Sequence, residues 1–508
     1  MGYNSKRILK NTIILYLRMI FIMLIALYTS RVVLKALGIE DYGLYNIVGG
    51  VVTIFSFLKS SMTSSTQRFL SYELGRSEAS AESNRVFCAS VTTHFGISLV
   101  LFLLCETVGL WLLNSQVNIP EGRQFAANVI YQFSVVSICI NLMIVPYNAC
   151  VIAHEDMNYF AYISIMDSIF KLLIAIVISH TSSMDRLILY GFLIMLITVA
   201  NLLVYWIICK KSYQECIFMF KWDVVMIKRI FSFSSWNLLG QMASVVSTQG
   251  VSLLINVFYS VAANAAMGVA QQVNHAISGL VANFQTAYQP QITKSYAAGE
   301  KESLKLLMYQ ASKVSFFLIF IVSLPILFNI DDILDFWLDK VPQYTSQFCV
   351  YILISSMMTA IGGPLWIAIF ATGKIRNYQI VLSIVYILDI FVVYALFRMG
   401  FSPVAAVVVK AVVYFLVVLI RLYYCSKQIT FFSVSQYVKK VLLPVLASSI
   451  VSIVFAYIIS LYSPTVFMKL VGAIAILLVS IISAFMIGLA SNERLAVRNI
   501  IKKVFKPK

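Results

Sequence analysis

The chain has 508 residues, of which 60% are hydrophobic and only 12% are charged, and its net charge is +17. Its mean hydropathy is +0.88, whereas soluble domains are about 45–50% apolar and about 25% charged. This composition excludes a water-soluble domain, and the long apolar blocks predict helices that cross a membrane, for which roughly 20 apolar residues suffice.

Apolar blocks divide the chain into fourteen predicted spans. In chain order they run roughly over 12–35, 43–66, 86–112, 125–152, 158–180, 186–209, 229–257, 264–289, 309–330, 345–371, 377–397, 402–424, 437–462 and 466–490. The first block follows basic residues, as in a signal peptide, but it is too long and has no small-residue cleavage site before Arg31. We therefore expect it to be retained as the first span.

The distribution of Lys and Arg predicts the orientation of the chain. With the N-terminus inside, twenty-six of these residues fall in inner loops and ends and seven in outer segments, as the positive-inside rule requires. An even number of spans then places both termini in the cytoplasm. The positive net charge therefore reflects topology, and since no basic soluble module is present, we expect no nucleic-acid partner.

A short internal repeat favours two related halves. Residues 67–75 (QRFLSYELG) and 291–299 (QITKSYAAG) share four identities, and each segment follows the second span of its half. We predict an all-α integral membrane fold with two six-helix lobes of pseudo-two-fold symmetry and two extra C-terminal helices. The predicted divisions are 1–215 for the N-lobe, 216–430 for the C-lobe, 431–490 for the two extra helices, and 491–508 for a basic cytoplasmic tail.

The basic tail has an apolar helical face, made of Val497, Ile501, Val504 and Phe505. Such a face beside basic residues is typical of a helix that lies on anionic lipids of the inner leaflet. A frayed basic terminus is the alternative.

Polar side chains form stripes along three of the predicted spans, at three- and four-residue steps that place them on one helical face. The stripes are Thr53, Ser56, Ser60, Thr63 and Gln67 in the second span, Asn237, Gln241, Ser244 and Thr248 in the seventh, and Gln271, Asn274, Ser278 and Gln285, with His275 alongside, in the eighth. A single Ser or Thr is more often a hydrogen bond between helices. Three matching stripes in the first two helices of each lobe favour a shared wet cavity, which we predict to be lined by Ser56, Ser60, Asn237, Gln241, Gln271 and Asn274.

Charged side chains inside spans are costly and therefore indicate function. Arg18 and Lys59 place positive charge in the first two spans, with Arg31 and Lys35 near the outer mouth. Such groups suit an anion, for example a pyrophosphate. Snorkelling of the side chain to the interface is the alternative for Arg31 and Lys35.

Other intramembrane charges have different expected roles. Asp167 and Lys171 are four residues apart and are expected to neutralise each other. Asp389 has no local cation partner, and a lone carboxylate in a span suits coupling to Na⁺ or H⁺. Glu106, Lys313 and Lys410 lie nearer span ends and are weaker candidates.

The sequence contains no catalytic motif and predicts no cofactor or metal site. His154-Glu155-Asp156 lacks the second histidine of a zinc-protease motif, and Gly373-Lys374 lacks the other residues of a phosphate-binding loop. The eight cysteines form no C-x-x-C pair and no zinc spacing, and we expect them to pack as small residues inside helices. Since no ATP-binding domain is attached, transport would draw on an ion gradient or on the gradient of the substrate.

Four short stretches carry a family resemblance: Ser30-Arg31-Val32-Val33-Leu34, Leu37-Gly38-Ile39-Glu40-Asp41-Tyr42-Gly43-Leu44-Tyr45, Gln67-Arg68-Phe69-Leu70-Ser71 and Tyr296-Ala297-Ala298-Gly299. They resemble the polysaccharide-transporter branch of the MOP flippase superfamily (multidrug, oligosaccharidyl-lipid and polysaccharide exporters). The resemblance implies two six-helix lobes about a partly cationic cavity, working by alternating access in the bacterial plasma membrane. It also implies the flipping of undecaprenyl-pyrophosphate-linked repeat units of O-antigen, capsule or exopolysaccharide. Asp389 lies in the span in which the resemblance implies a coupling-cation site.

The leading hypothesis is therefore a flippase of lipid-linked oligosaccharides, which is a transporter and not an enzyme. Its expected partners are the lipid-linked substrate, membrane lipids, and a polysaccharide polymerase with its chain-length machinery. A multidrug–cation antiporter is less favoured, because the predicted spans hold five basic groups against three acidic ones. A lipid II flippase is a third reading. A membrane-embedded polymerase or ligase is disfavoured, because such an enzyme is expected to have a large outer loop.

Overall fold

The computed structural model describes residues 3–53, 56–76, 81–115, 119, 122–181, 185–217, 223–338, 340–462, 465–495 and 498. These residues form helices and short connections and contain no β-strand. The apolar face predicted for the tail involves positions 497, 501, 504 and 505, which lie outside the described residues. The all-α prediction is confirmed.

The helices follow one another with short connections, as expected for spans joined across a membrane. Their bounds are α1 Tyr3–Thr53, α2 Ser56–Arg76, α3 Ala81–Leu104, α4 Leu110–Ser115, α5 Gln124–Ala153, α6 Met157–His180, α7 Arg186–Ser212, α8 Val224–Phe258, α9 Val261–Ala297, α10 Lys301–Phe328, α11 Ile330–Trp337, α12 Thr345–Thr372, α13 Arg376–Arg398, α14 Val404–Gln428, α15 Val434–Tyr437, α16 Leu443–Leu461 and α17 Val466–Ser483. One turn of 3₁₀-helix, Gln214–Cys216, follows α7.

Twelve helices among the described residues are long and apolar enough to cross a membrane, so the chain is a multi-pass membrane protein. The second and eighth predicted spans are not among the twelve. The second is divided between the end of α1 and α2, with residues 54 and 55 outside the described part. The eighth corresponds to α9, whose amide and hydroxyl stripe lowers its hydropathy. The number fourteen therefore stays a prediction.

Gly38 divides α1 into two helices. Its backbone has φ 79° and ψ 172°, inside an element that is otherwise helical. This region of φ/ψ space is essentially confined to glycine, since a Cβ atom would clash with the backbone. The long first element therefore ends its membrane-spanning part at Gly38 and changes direction there.

The outward faces of the helices are apolar, which is the reverse of a soluble protein. In α1, Leu17 and Leu27 are each 65% exposed, and in α17 Leu470 and Ile474 are each 62% exposed. Contiguous apolar surface of this kind is stable only when lipid or another protein covers it. The surface therefore agrees with the composition: these helices are solvated by hydrocarbon.

The chain folds as two compact units, and the division falls inside α8, after Leu238. In the first unit, α5 packs against α2, α3 and α7. In the second unit, α12 packs against α9, α10 and α14, and the pair α16–α17 packs against α10. Each unit has its own buried apolar clusters. The lobe boundaries expected near residues 215 and 430 stay predictions.

Arg123 connects three elements at one end of the first unit. Its guanidinium binds Asp41, with Nε 2.8 Å from Oδ1, and it also binds Asp185. Asp185 caps α7, because its Oδ1 accepts hydrogen bonds from the amides of Leu187 and Ile188 at 3.0 and 3.2 Å. This capping satisfies amide groups that a helix start would otherwise leave without a partner.

The titration of Asp185 gives this end of the protein a pH-dependent stability. Burial raises the pKa of Asp185, but the hydrogen bond from Arg123 and those from the α7 amides outweigh burial and hold the pKa below its usual value. A carboxyl whose folded-state pKa is lowered stabilises the fold above its unfolded pKa of about 3.9, and this contribution is lost as the pH falls through the folded-state pKa. We expect the melting temperature of the detergent-solubilised protein to fall as the pH drops below about 5, and to keep falling through the folded-state pKa of Asp185.

The Asp185→Asn variant isolates this effect, because asparagine caps helices as well as aspartate but does not titrate in this range. We expect the variant to melt below the wild type at neutral pH and to show a flatter dependence on pH. Parallel melting curves for the two proteins across the whole acid range would contradict the assignment to Asp185.

Candidate functional site

A chamber of about 730 Å³ lies inside the first unit. We call it the first chamber. Its wall is built by α1, α2, α5, α6 and α7, and its polar lining includes Arg18, Thr29, Ser30, Lys59, Thr63, Asn141, Asn148, Ser164, Asp167, Ser168, Lys171, Thr198, Asn201 and Tyr205. The described lining contains neither histidine nor cysteine. Its amides, hydroxyls and charged groups can bind a polar ligand.

Arg18 reaches the first chamber from the middle of α1. Its guanidinium carbon lies 4.3 Å from the centroid of the Phe160 ring, a cation–π distance. Its Nε atom is buried and has no hydrogen-bond partner. No carboxylate of the described residues forms an ion pair with it. A buried guanidinium donor without an acceptor is costly, and a bound anion would satisfy it.

Lys59 reaches the same chamber from α2. Its ammonium Nζ donates a hydrogen bond to Asn141 Oδ1 at 3.0 Å. An amide oxygen satisfies the donor but leaves the positive charge of Lys59 uncompensated. Lys59 and Arg18 therefore supply two positive charges to a single chamber, as the sequence analysis anticipated. Their role as a binding site stays a prediction.

The other charges of the first chamber neutralise each other. Asp167 and Lys171, one helical turn apart on α6, form an ion pair of 2.7 Å. Asp167 also accepts a hydrogen bond from Asn201 Nδ2 at 2.7 Å. Asp167 is the only carboxylate in the described lining, so the charges that remain there are positive.

Several residues predicted to line the cavity lie elsewhere. Arg31 and Ser60 are exposed and are not in the lining of the first chamber, although Ser30 is. Asn237 is buried and donates to the carbonyl of Ser61 at 3.2 Å, which is a packing contact. Gln241 is half-buried and lines neither of the two chambers described here. The side chain of Ser56 lies outside the described part of the chain.

A second chamber, of about 840 Å³, lies inside the second unit. Gln271 and Asn274 of α9, which belong to the predicted polar stripe, line it, and their role in binding stays a prediction. Asn274 Oδ1 accepts a hydrogen bond from Ser356 Oγ at 2.5 Å. The rest of the described polar lining is Ser244, Thr248, Gln249, His275, Ser278, Gln285, Ser355, Thr359, Lys410 and Tyr414. Amides and hydroxyls both donate and accept, which suits a ligand rich in hydroxyl groups.

Asp389 does not lack a cation, and that expectation from the sequence is wrong. Lys410 Nζ lies 3.0 Å from Asp389 Oδ2. Ser247 Oγ donates to the same oxygen at 2.6 Å. Lys410 belongs to α14 and Asp389 to α13, so residue spacing along a single helix does not reveal the pair. Coupling of an ion at Asp389 stays a prediction.

Other walls of the first chamber were not predicted. Asn141 and Asn148 lie seven residues apart on α5, and Thr198, Asn201 and Tyr205 follow one another at three- and four-residue steps on α7. These spacings place each set on one helical face. Polar residues at these steps are a signal in the sequence for both sets.

The fold is shared with solved transporters. It matches the outward-facing conformation of a multidrug resistance MATE family transporter of the MOP superfamily with a TM-score of 0.72 and 12% identity, over 85% of this chain and 97% of the other. It matches a mutant of the Vibrio cholerae MATE transporter VcmN (TM-score 0.67, 13% identity, 85% and 99% covered). It also matches a MOP superfamily transporter from Pyrococcus furiosus, whose reversed pocket polarity suggests a different function (TM-score 0.69, 14% identity, 84% and 97% covered). None of the curated proteins matches the sequence.

The helical fold and the membrane-solvated surface are those of the solved transporters of the MOP superfamily. A family model described as polysaccharide biosynthesis protein matches residues 8–296, which is more than half of the chain. The chain belongs to this polysaccharide biosynthesis protein family. The predicted resemblance to the polysaccharide branch of the superfamily is thereby confirmed.

Proposed function

We propose that the protein flips undecaprenyl-pyrophosphate-linked oligosaccharides, the repeat units of O-antigen, capsule or exopolysaccharide, across a bacterial plasma membrane by alternating access. The observation that carries the proposal is the pair Arg18 and Lys59. Both line one chamber, and among the described residues neither is paired with a carboxylate. Two unpaired charges inside a membrane cost free energy, and a bound ligand of opposite charge would offset that cost.

A pyrophosphate suits the first chamber in charge and in hydrogen bonding. Its oxygens are acceptors only, and Arg18 and Lys59 supply charge-assisted donors, with Asn141, Asn148 and Asn201 as neutral donors around them. The prenyl chain needs no site, because the hydrocarbon of the bilayer solvates it. The amide-rich second chamber offers donors and acceptors of the kind that sugar hydroxyls use.

A multidrug–cation antiporter is the rival function within the superfamily. A chamber for cationic drugs needs free negative charge, whereas Asp167, the one carboxylate in the described lining, is paired with Lys171. A lipid II flippase carries the same pyrophosphate, so the first chamber does not separate it from the leading proposal.

The orientation, the partners and the energy source of the protein are proposals as well. Both termini are proposed to lie in the cytoplasm, in accord with the positive-inside bias. The protein is proposed to need no cofactor and to act beside a polysaccharide polymerase and its chain-length machinery. If transport is coupled, the ion would be Na⁺ or H⁺, and Asp389 is the candidate site, reached by displacement of Lys410.

Complementation separates these functions. The wild-type gene is introduced into three bacterial strains: one without its O-unit flippase, one depleted of its lipid II flippase, and one without its main drug exporters. The proposal predicts that surface glycan returns in the first strain, and that neither growth of the second nor drug resistance of the third improves. Rescue of the second or third strain without the first would contradict it.

A further inference from the structure

A cluster of metal-binding side chains lies at the junction of α5 and α7, outside both chambers. Cys150 and His154 come from the last turn and the C-cap of α5. Glu215 and Cys216 come from the 3₁₀ turn after α7. We call these four residues the thiol cluster. Cys209, in the last turn of α7, lies beside it and is completely buried.

The ligand atoms of the thiol cluster are close together. Those of Cys150, His154 and Glu215 all lie within 4.8 Å of one another. Cys150 Sγ is 3.6 Å from Glu215 Oε1 and 3.3 Å from Cys216 Sγ. His154 Nε2 contacts the same oxygen of Glu215. In a tetrahedral zinc site with Zn–S bonds of about 2.3 Å, neighbouring ligand atoms lie about 3.5–3.8 Å apart. The Cys150–Glu215 separation falls in that range, whereas the Cys150–Cys216 and His154–Glu215 pairs are closer and would move apart slightly on binding an ion.

The environment of the cluster favours a cation. The Glu215 side chain is only 2% exposed, and its described contacts are the Cys150 thiol and the ring of His154. Around it lie Cys150, Cys209 and Cys216, three sulfur atoms that become anionic only if a cation or a base stabilises them. A buried carboxylate is costly without a donor or a cation, and the His154 ring is its described partner of this kind. A bound cation would neutralise Glu215 and also stabilise the neighbouring thiols as thiolates. The side chain of His154 is 26% exposed, so an ion can reach the cluster from the surface at this residue.

The contacts behind His154 resemble the support that metal ligands usually have. Its ring stacks on Tyr213 with centroids 4.2 Å apart. The Tyr213 hydroxyl donates to Asp156 at 2.8 Å, and the His154 carbonyl accepts from Arg7. These contacts hold the orientation of the His154 ring.

We propose that Cys150, His154 and Glu215 bind one structural Zn²⁺, and that Cys216, whose Sγ lies 3.3 Å from that of Cys150, turns in as the fourth donor. On binding, both thiols lose their protons to the solvent, and the ion completes four bonds to the protein with no open position for catalysis. The ion would join the ends of α5 and α7, two helices whose side chains line the first chamber. The proposal does not depend on the substrate of that chamber.

The site is not apparent in the sequence, because its residues are far apart along the chain. Cys150 and His154 have the i, i+4 spacing of one helical face, but Glu215 follows His154 by 61 positions. No paired zinc spacing is therefore visible along the chain. The prediction that the eight cysteines pack as small residues inside helices did not anticipate the contact between Cys150 and Cys216.

Metal analysis of the full-length protein, purified in detergent with Zn²⁺ in the medium, tests the proposal. We expect about one Zn²⁺ per chain in the wild type, and close to none in Cys150→Ser or His154→Asn. Cys349→Ser is the matched control, because Cys349 is equally buried but lies in the apolar core of the second unit. It should keep the metal.

Co²⁺ replacement gives a second readout, which can be made on the wild-type protein and does not depend on how much of a variant is produced. The wild type, depleted by a chelator and loaded with Co²⁺, should show thiolate-to-metal charge-transfer absorption and the visible bands of tetrahedral Co²⁺. His154→Asn, which removes a partly exposed ligand, should lose the tetrahedral bands. Absence of metal and of these bands in the wild type, or a Cys150–Cys216 disulfide in the purified protein, would overturn the proposal.

Discussion

Arg18→Gln combined with Lys59→Met lowers the flipping of pyrophosphate-linked oligosaccharide by about 100-fold or more. Each side chain is expected to make charge-assisted hydrogen bonds to the diphosphate, and such a bond contributes about 1.5–3 kcal/mol, or about ten- to 100-fold in affinity. Each single variant should lie between the wild type and the double variant. The measurement is the rate at which surface glycan reappears in the flippase-deficient strain after induced expression.

The matched control replaces cations that lie outside both chambers. Lys301 and Arg398 are exposed, at the start of α10 and the end of α13. Lys301→Met combined with Arg398→Gln removes the same total charge and should leave the rate near that of the wild type. Arg18→Lys should retain part of the activity, because it keeps the charge but loses the planar donor pair. Equal rates for the two double variants would remove the basis of the cationic site.

Lys410→Met destabilises the protein by about 3–5 kcal/mol, the usual result of leaving one partner of a buried ion pair alone. Asp389 is almost completely buried. Its Oδ2 atom binds both Lys410 and Ser247, while its Oδ1 atom has no hydrogen-bond partner. Without Lys410, this carboxylate must remain charged in an apolar environment or take up a proton. The measurement is the melting temperature of the purified protein in detergent.

Restoring neutrality should restore stability. Asp389→Asn combined with Lys410→Met removes both charges and should melt within a few degrees of the wild type, since replacing a whole buried pair is often neutral or stabilising. Transport by this double variant addresses the coupling proposal. If Asp389 binds the coupling ion, the double variant is folded but inactive. Normal transport would exclude that role, and a double variant no more stable than Lys410→Met would contradict the ion-pair assignment.

The sequence was sufficient for the fold class because hydrophobic length is a strong signal. Every helix of the membrane requires a long run of apolar residues, so most spans were found within a few residues of their observed ends. It was less informative where helices are polar. The stretch predicted as 264–289 corresponds to α9, Val261–Ala297, and it does not qualify as a span by hydropathy.

The candidate site was predictable in part. Arg18 and Lys59 could be chosen because a charge in an apolar span is rare. The orientation of a stripe was harder to predict. In α2, Lys59 and Thr63 face the first chamber, whereas Ser60 is exposed and Ser61 is buried against the backbone of Ser234. If the helix face is assigned one residue out of register, lining positions and outward positions are exchanged. Because hydroxyl residues lie on both faces of α2, the sequence does not show which face lines the chamber.

Contacts between residues on different helices could not be predicted from the sequence. The pair Asp389–Lys410 joins α13 to α14, and the thiol cluster joins α5 to the turn after α7. Periodicity reports which residues share a face of one helix, but it does not report which faces of two helices meet. Both features required coordinates.

Transport by the purified protein in proteoliposomes tests the central claim most directly. Vesicles containing the wild type, the Arg18→Gln/Lys59→Met variant or the Lys301→Met/Arg398→Gln control receive a prenyl-pyrophosphate-linked sugar whose outward exposure is followed by enzymatic labelling of the sugar. We predict rapid exposure with the wild type and the control, and exposure close to that of empty vesicles with the Arg18/Lys59 variant. Equal rates for all three proteins, or transport of a cationic drug in place of the lipid, would contradict the account.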